Sequence, residues 1–139
     1  MKVGLISCTK SKHRMHAEAK KVYHKSNLFK KAFAYAEKNY DKVYIISAKH
    51  GLIEPSTVIG PYDVTVLKMS KEEKENWGRE VASQIIVTIP RDSTLYFHMG
   101  VAYREAIIPK LGIKYEIEIP LAGLGIGKQL QWYNESRAN

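Results

Sequence analysis

Hydrophobic and polar positions change their spacing several times along the 139-residue chain, and each change marks an element. Val3, Leu5 and Ile6 stand in a short apolar run, Lys2 to Ser7, which reads as a strand ending in the polar turn Cys8-Thr9-Lys10-Ser11-Lys12. Helical spacing follows to about Asn39. Leu28, Ala32, Tyr35 and Ala36 share one face, Phe29 and Phe33 widen it, lysines occupy the other, and Ser26 or Asn27 would cap the start. A shorter helix is expected around Ala17 to Tyr23. Lys42 to Ser47, with Val43, Tyr44, Ile45 and Ile46 in a row, reads as a second, buried strand.

Ser70 with Glu73 three residues on forms a capping box, and the helix it opens carries Trp77, Val81, Ala82 and Ile85 inward until Pro90. Thr94 to His98 is a third strand, Val101 to Leu111 a helix, and Lys114 to Ile119 a fourth strand. Glu116 and Glu118 alternate with Tyr115, Ile117 and Ile119, which predicts a one-sided or edge strand. Gly123-Leu124-Gly125-Ile126-Gly127 then leads into a last helix from Lys128 to about Ser136. Strands separated by helices imply a single α/β domain over residues 1–139, with a mainly parallel sheet of four strands or slightly more flanked by helices.

Parallel topology has a chemical consequence. The loops leaving the carboxyl ends of the strands emerge on one edge of the sheet, where α/β proteins hold their ligands. Here these loops carry Thr9, Lys10, Ser11, Lys12, Lys49, His50, the backbone near Gly51, Gly100 and Gly127, and Lys128. Such a donor-rich, cationic rim suits an anionic or polar ligand, and a helix that starts after glycines adds its positive end.

Charge sharpens this expectation. Residues 1–50 hold 12 Lys and Arg against 3 Asp and Glu, or +9, whereas residues 51–139 hold 10 against 11, or −1, which together make the net +8. A one-sided positive field attracts polyanions, nucleic acid above all, although lysine on exposed helical faces also serves solubility. Cys8 is the only cysteine, so no intramolecular disulfide forms, and no Cys/His spacing matches a structural zinc site. A cytoplasmic protein without metal, cofactor or membrane span is expected.

Individual motifs support different chemistries. Counting back from Gly127 and Lys128 puts Ala122 where a phosphate loop needs its first glycine and Gln129 where it needs a hydroxyl, so the run is no Walker loop. It reads either as a place of close ligand approach or as a tight turn. Cys8, flanked by Lys10 and Lys12, is a candidate nucleophile or else a small buried hydrophobe. Tyr62 and Asp63 follow Pro61, which fixes their direction. In a cationic rim Asp63 is the carboxylate best suited to act as a general base, with an Asx turn as the alternative. His98, closing an apolar strand, is read either as catalytic or as a satisfied core side chain.

Three segments carry a resemblance to a known family: Ser7-Cys8-Thr9-Lys10-Ser11-Lys12, Ile46-Ser47-Ala48-Lys49-His50-Gly51-Leu52-Ile53 and Pro61-Tyr62-Asp63. Together they resemble the YaaA-like superfamily, with Lys10, Gly51, Leu52, Pro55, Pro61 and Tyr62 at matching positions and Cys8-Thr9 in place of a Pro-Ala pair. The resemblance is closer to a small single-domain branch of bacteria and their phages. It implies a shared polar pocket, and DNA binding as in the peroxide-stress members.

The expected function is therefore a nucleic-acid or nucleotide-binding domain. Thr9, Lys10, Ser11, Lys49, His50, Gly51, Tyr62, Gly127 and Lys128 are its expected ligand-binding residues. The alternatives are an enzyme acting on a nucleoside or nucleic-acid base through Asp63 or Cys8, and a non-catalytic protein that sequesters a nucleotide or a partner.

Overall fold

A computed structural model describes residues 1–7, 17–22, 27–59 and 64–137. Cys8, Thr9, Lys10, Ser11, Tyr62 and Asp63 lie outside the described residues, as does the Ser26 cap candidate.

The four expected strands are present: β1 (Lys2–Ser7), β3 (Lys42–Ser47), β6 (Thr94–His98) and β7 (Glu116–Glu118), all mutually parallel. Between β1 and β3 run the two-residue strand β2 (Ala17–Glu18), the short helix α1 (Ala19–Val22) and the long helix α2 (Asn27–Asn39). The sheet is mostly parallel but mixed, because a fifth strand, β4 (Gly51–Ile53), folds back antiparallel on β3 and gives the order β4-β3-β1-β6-β7. Ser47 pairs with Gly51 across a three-residue loop, and Gly51 takes φ +70°, a left-handed conformation natural to glycine at the end of such a hairpin. Three residues amid turn formers leave too little periodicity for β4 to announce itself in sequence. A second, two-stranded sheet pairs β2 with β5 (Val58–Ile59).

Helix α3 (Lys71–Thr88) starts at the expected capping box: the Ser70 hydroxyl accepts from the Glu73 amide and the Glu73 carboxylate accepts from the Ser70 amide. The Ser70 backbone amide first, and then the Ser70 hydroxyl, hold the Glu73 carboxyl below its ordinary pKa. Trp77, Val81, Ala82 and Ile85 are buried as their spacing predicts. Helices α4 (Val101–Leu111) and α5 (Ile126–Arg137) follow, the latter starting two residues before the expected Lys128.

The chain leaves β1 in two opposite directions. It first crosses through α2 to β3, then through α3 to β6 on the other side of β1. Crossovers of one hand running in opposite directions cover opposite faces, so α2 packs with α5 over one face and α3 with α4 over the other. Between them a continuous core is built on Val3, Leu5, Ile45, Ile46, Leu95 and Phe97. β7 lies at the sheet edge, as the Glu116 and Glu118 alternation predicts.

Candidate functional site

The junction of β1 and β6 is where the direction of winding reverses, and there the carboxyl ends of the two strands part. A cavity of about 230 Å³ occupies that gap. Ile6 and Ser7 reach it from β1, and Phe97, His98 and Met99 from the end of β6. Leu28, Phe29 and Ala32 of α2 form one wall, Ile126, Gln129 and Tyr133 of α5 another, and Ile119 and Leu121 close the side beyond β7. Helical spacing explains the α5 set, since positions 126, 129 and 133 share one face.

Polar groups are few among these apolar walls. Arg104 of α4 is the one cation among the described lining residues, and its guanidinium donates to the Met99 carbonyl at 3.5 Å. Gln129 donates through Nε2 to the Leu124 carbonyl at 2.8 Å, which fixes its amide and the turn ahead of α5. Gly100, the N-cap of α4, lines the cavity and brings no side-chain cap to that helix.

His98 is 6% exposed, and both of its ring nitrogens are engaged. Nε2 lies 2.6 Å from the Tyr40 hydroxyl and Nδ1 2.7 Å from the Tyr133 hydroxyl. Burial lowers its pKa to about 4, so the imidazole is neutral at physiological pH. Burial also raises the Tyr40 and Tyr133 phenols far above their ordinary range, with neighbouring phenols adding to the effect. Tyr40 stacks on Tyr96 at 4.5 Å, and Tyr35 and Trp132 surround the same imidazole. His98 is thus a satisfied buried side chain that also lines the cavity. A histidine ending an apolar strand was the signal for it, whereas Tyr40, Tyr133, Arg104 and Gln129 carried none, since ordinary helical periodicity accounts for such residues.

The expected rim residues are distributed otherwise. Lys49, His50 and Gly51 belong to the β3–β4 hairpin and do not line the cavity. The Ser47 hydroxyl accepts from the Lys49 and His50 amides at 3.2 and 3.0 Å, and the Trp77 indole donates to the Ser47 carbonyl at 3.3 Å, so this loop is fastened to α3. Partial burial, then the Lys49 ammonium, lowers the His50 pKa. Gly127 and Lys128 are exposed in the first turn of α5, on the side turned from the cavity-facing Ile126 and Gln129. Ser7 does line the cavity, and Cys8, Thr9, Lys10 and Ser11 follow it in sequence.

A larger groove of about 660 Å³ runs along α3 past Leu52 and Gln84, but Asn76, Arg79, Glu80, Ser83 and Val87 along it are all exposed. A ligand site needs concave walls that bury most of the ligand's surface as well as volume. No group of three or more metal-ligating side chains occurs among the described residues, and no helix among them is long and apolar enough to cross a membrane.

Fold and cavity together define a doubly wound α/β protein with a small, partly enclosed pocket at its switch point. The chain belongs to DUF6884, a family of unknown function whose model matches residues 3–135. No curated protein and no solved structure matches the chain.

Proposed function

We propose that the protein binds a nucleotide, with the base held in the cavity between β1 and β6 and the phosphate at its rim. The observation that carries this reading is the cavity's position and chemistry. It lies at the switch point of a mainly parallel sheet, has apolar walls from Phe29 and Phe97 that suit a flat heteroaromatic ring, and is lined by Arg104 and by Gly100, the N-cap of α4. At about 230 Å³ it falls below the roughly 300 Å³ at which drug-sized pockets begin, which favours a single base with its sugar over a dinucleotide. The +9 of residues 1–50 supports attraction of phosphate from solution, including that of a polynucleotide whose exposed base enters the cavity. A resemblance to the YaaA-like superfamily in the segment that continues from Ser7 is consistent with this reading.

Calorimetric titration of the full chain against nucleobases, nucleosides, nucleoside mono- and triphosphates and short DNA and RNA strands tests it. The expected result is saturable binding of at least one nucleotide. For the strands, affinity should fall by orders of magnitude between about 50 and 200 mM salt. Failure of every member to bind at the lower salt overturns the reading.

A further inference from the structure

Both nitrogens of a buried, neutral imidazole are hydrogen-bonded to phenols at 2.6 and 2.7 Å, and the imidazole and one of those phenols line the cavity. A neutral imidazole carries one N–H and one lone pair, so one phenol donates to the ring and the other accepts from it. Two arrangements satisfy this. In the first, Tyr133 donates its O–H to Nδ1 while Nε2–H donates to Tyr40, and the Tyr133 oxygen offers the cavity only lone pairs. In the second, Tyr40 donates to Nε2 while Nδ1–H donates to the Tyr133 oxygen, which frees the Tyr133 O–H to donate into the cavity.

We propose that Tyr133 reads the hydrogen-bonding edge of a flat heteroaromatic ligand in this cavity, and that the Tyr133–His98–Tyr40 chain lets its hydroxyl be donor or acceptor without change of charge. The proposal rests on the reading of the cavity as a base-binding site. Both arrangements keep both ring nitrogens bonded inside a buried site, so neither carries the penalty of an orphaned polar group, and one ligand hydrogen bond is enough to select between them. Conversion moves protons in balance. One enters the Tyr133 oxygen from water or ligand as the Tyr133 proton passes to Nδ1, the Nε2 proton passes to the Tyr40 oxygen, and the former Tyr40 proton leaves to water. The Tyr40 hydroxyl is also hydrogen-bonded to Tyr35, and both residues are half-buried, which gives that proton a way out. Burial keeps the imidazole neutral throughout.

Two purine-sized probes separate the states: isoquinoline, which only accepts a hydrogen bond, and indole, whose ring N–H only donates. Nitrogen-15 NMR of His98 reads its tautomer directly. The expected result is a proton on Nδ1 with isoquinoline and on Nε2 with indole. Tyr40→Phe removes the hydroxyl that accepts from Nε2–H, and an unpaired buried donor is harder to accommodate than an unpaired acceptor, so the proton stays on Nδ1. That variant should bind isoquinoline as the native protein does and indole roughly tenfold more weakly. A His98 tautomer that stays the same with both probes, or a Tyr40→Phe variant with equal losses for both, overturns the proposal. The two readings fail separately. If nucleotides bind while the tautomer never responds, the relay fails alone. If the tautomer and the probes behave as stated while no nucleotide binds, the nucleotide reading fails alone.

Discussion

Tyr40 lays its ring against the bare backbone of Gly4: a Cβ at position 4 would stand 2.5 Å from Tyr40 Cδ2 and 3.0 Å from Cε2. The central strand thus lacks a side chain where the phenol that meets His98 has to pass. Gly4 pairs with Tyr96, on which Tyr40 stacks, so one missing Cβ sets the position of the whole aromatic group.

Replacing Gly4 by Ala should therefore do more than crowd the core. The expected cost is about 2 kcal/mol, in the middle of the range for overpacking, measured by urea denaturation. The ring nitrogen signals of His98 should change as Tyr40 is pushed from Nε2. An unchanged His98 spectrum with unchanged stability would show that the sheet absorbs the methyl elsewhere.

Acid should weaken the fold through His98. Its pKa is lowered from 6.5 to about 4 by burial, so between those values the unfolded chain binds the proton and the folded one does not. Stability from this group is complete above pH 6.5 and is lost as the pH falls toward 4, by about 3 kcal/mol at 1.36 kcal/mol per unit. Denaturation at pH 7 and pH 4 checks this against His98→Gln, in which the pH-dependent loss should shrink by that amount. The lowered pKa of His50 acts in the same direction, and it remains in both proteins.

Arg104 should separate phosphate from base. Arg104→Gln keeps a shorter polar side chain but removes the charge. A nucleoside monophosphate is expected to bind roughly tenfold or more weakly, and the matching nucleoside within about twofold of native. Equal losses for both ligands would place the phosphate elsewhere.

At the sheet edge, Gln84 of α3 accepts from the Leu52 amide at 2.9 Å, and Gly51 passes close against the same side chain. Gln84→Leu leaves that amide without its acceptor. A loss of about 1 to 2 kcal/mol is expected, with faster hydrogen exchange at Leu52 than at the central strands.

Much of this architecture was legible because its causes are local. The Ser70–Glu73 box needs only a four-residue span, and the Trp77, Val81, Ala82 and Ile85 stripe needs only helical spacing; both appear as expected. Adjacent Val43, Tyr44, Ile45 and Ile46 required burial on both faces, which a strand beside the central β1 supplies. Alternation at Glu116 and Glu118 placed β7 at the edge. Of the loops expected to converge at the strand ends, Met99 with Gly100 and Leu121 with Ile126 share one cavity, whereas Lys49 and His50 do not line it and Cys8 to Lys12 lie outside the described residues.

The candidate site was far less legible. Lys49 and His50 have the chemistry of a ligand loop, yet the pairing of Ser47 with Gly51 draws them into a hairpin fastened to α3. Whether a strand end continues as a loop or folds back depends on the partner it meets, which no local pattern encodes. Gly127 and Lys128 fall on the exposed side of α5 because that helix begins at Ile126, and two residues of helical phase turn a side chain by more than half a revolution.

The sequence by itself determined the class of fold and the order of its principal strands and helices. These follow from spacing, capping and burial over a few residues at a time. Only the tertiary structure decided which side chains meet. His98 finds Tyr40 and Tyr133 at separations of 58 and 35 residues, and their hydrogen bonds come from how α2 and α5 pack over one face of the sheet. A histidine's partners, and with them its charge and its tautomer, are set by packing between distant segments, for which the chain carries no nearby sign.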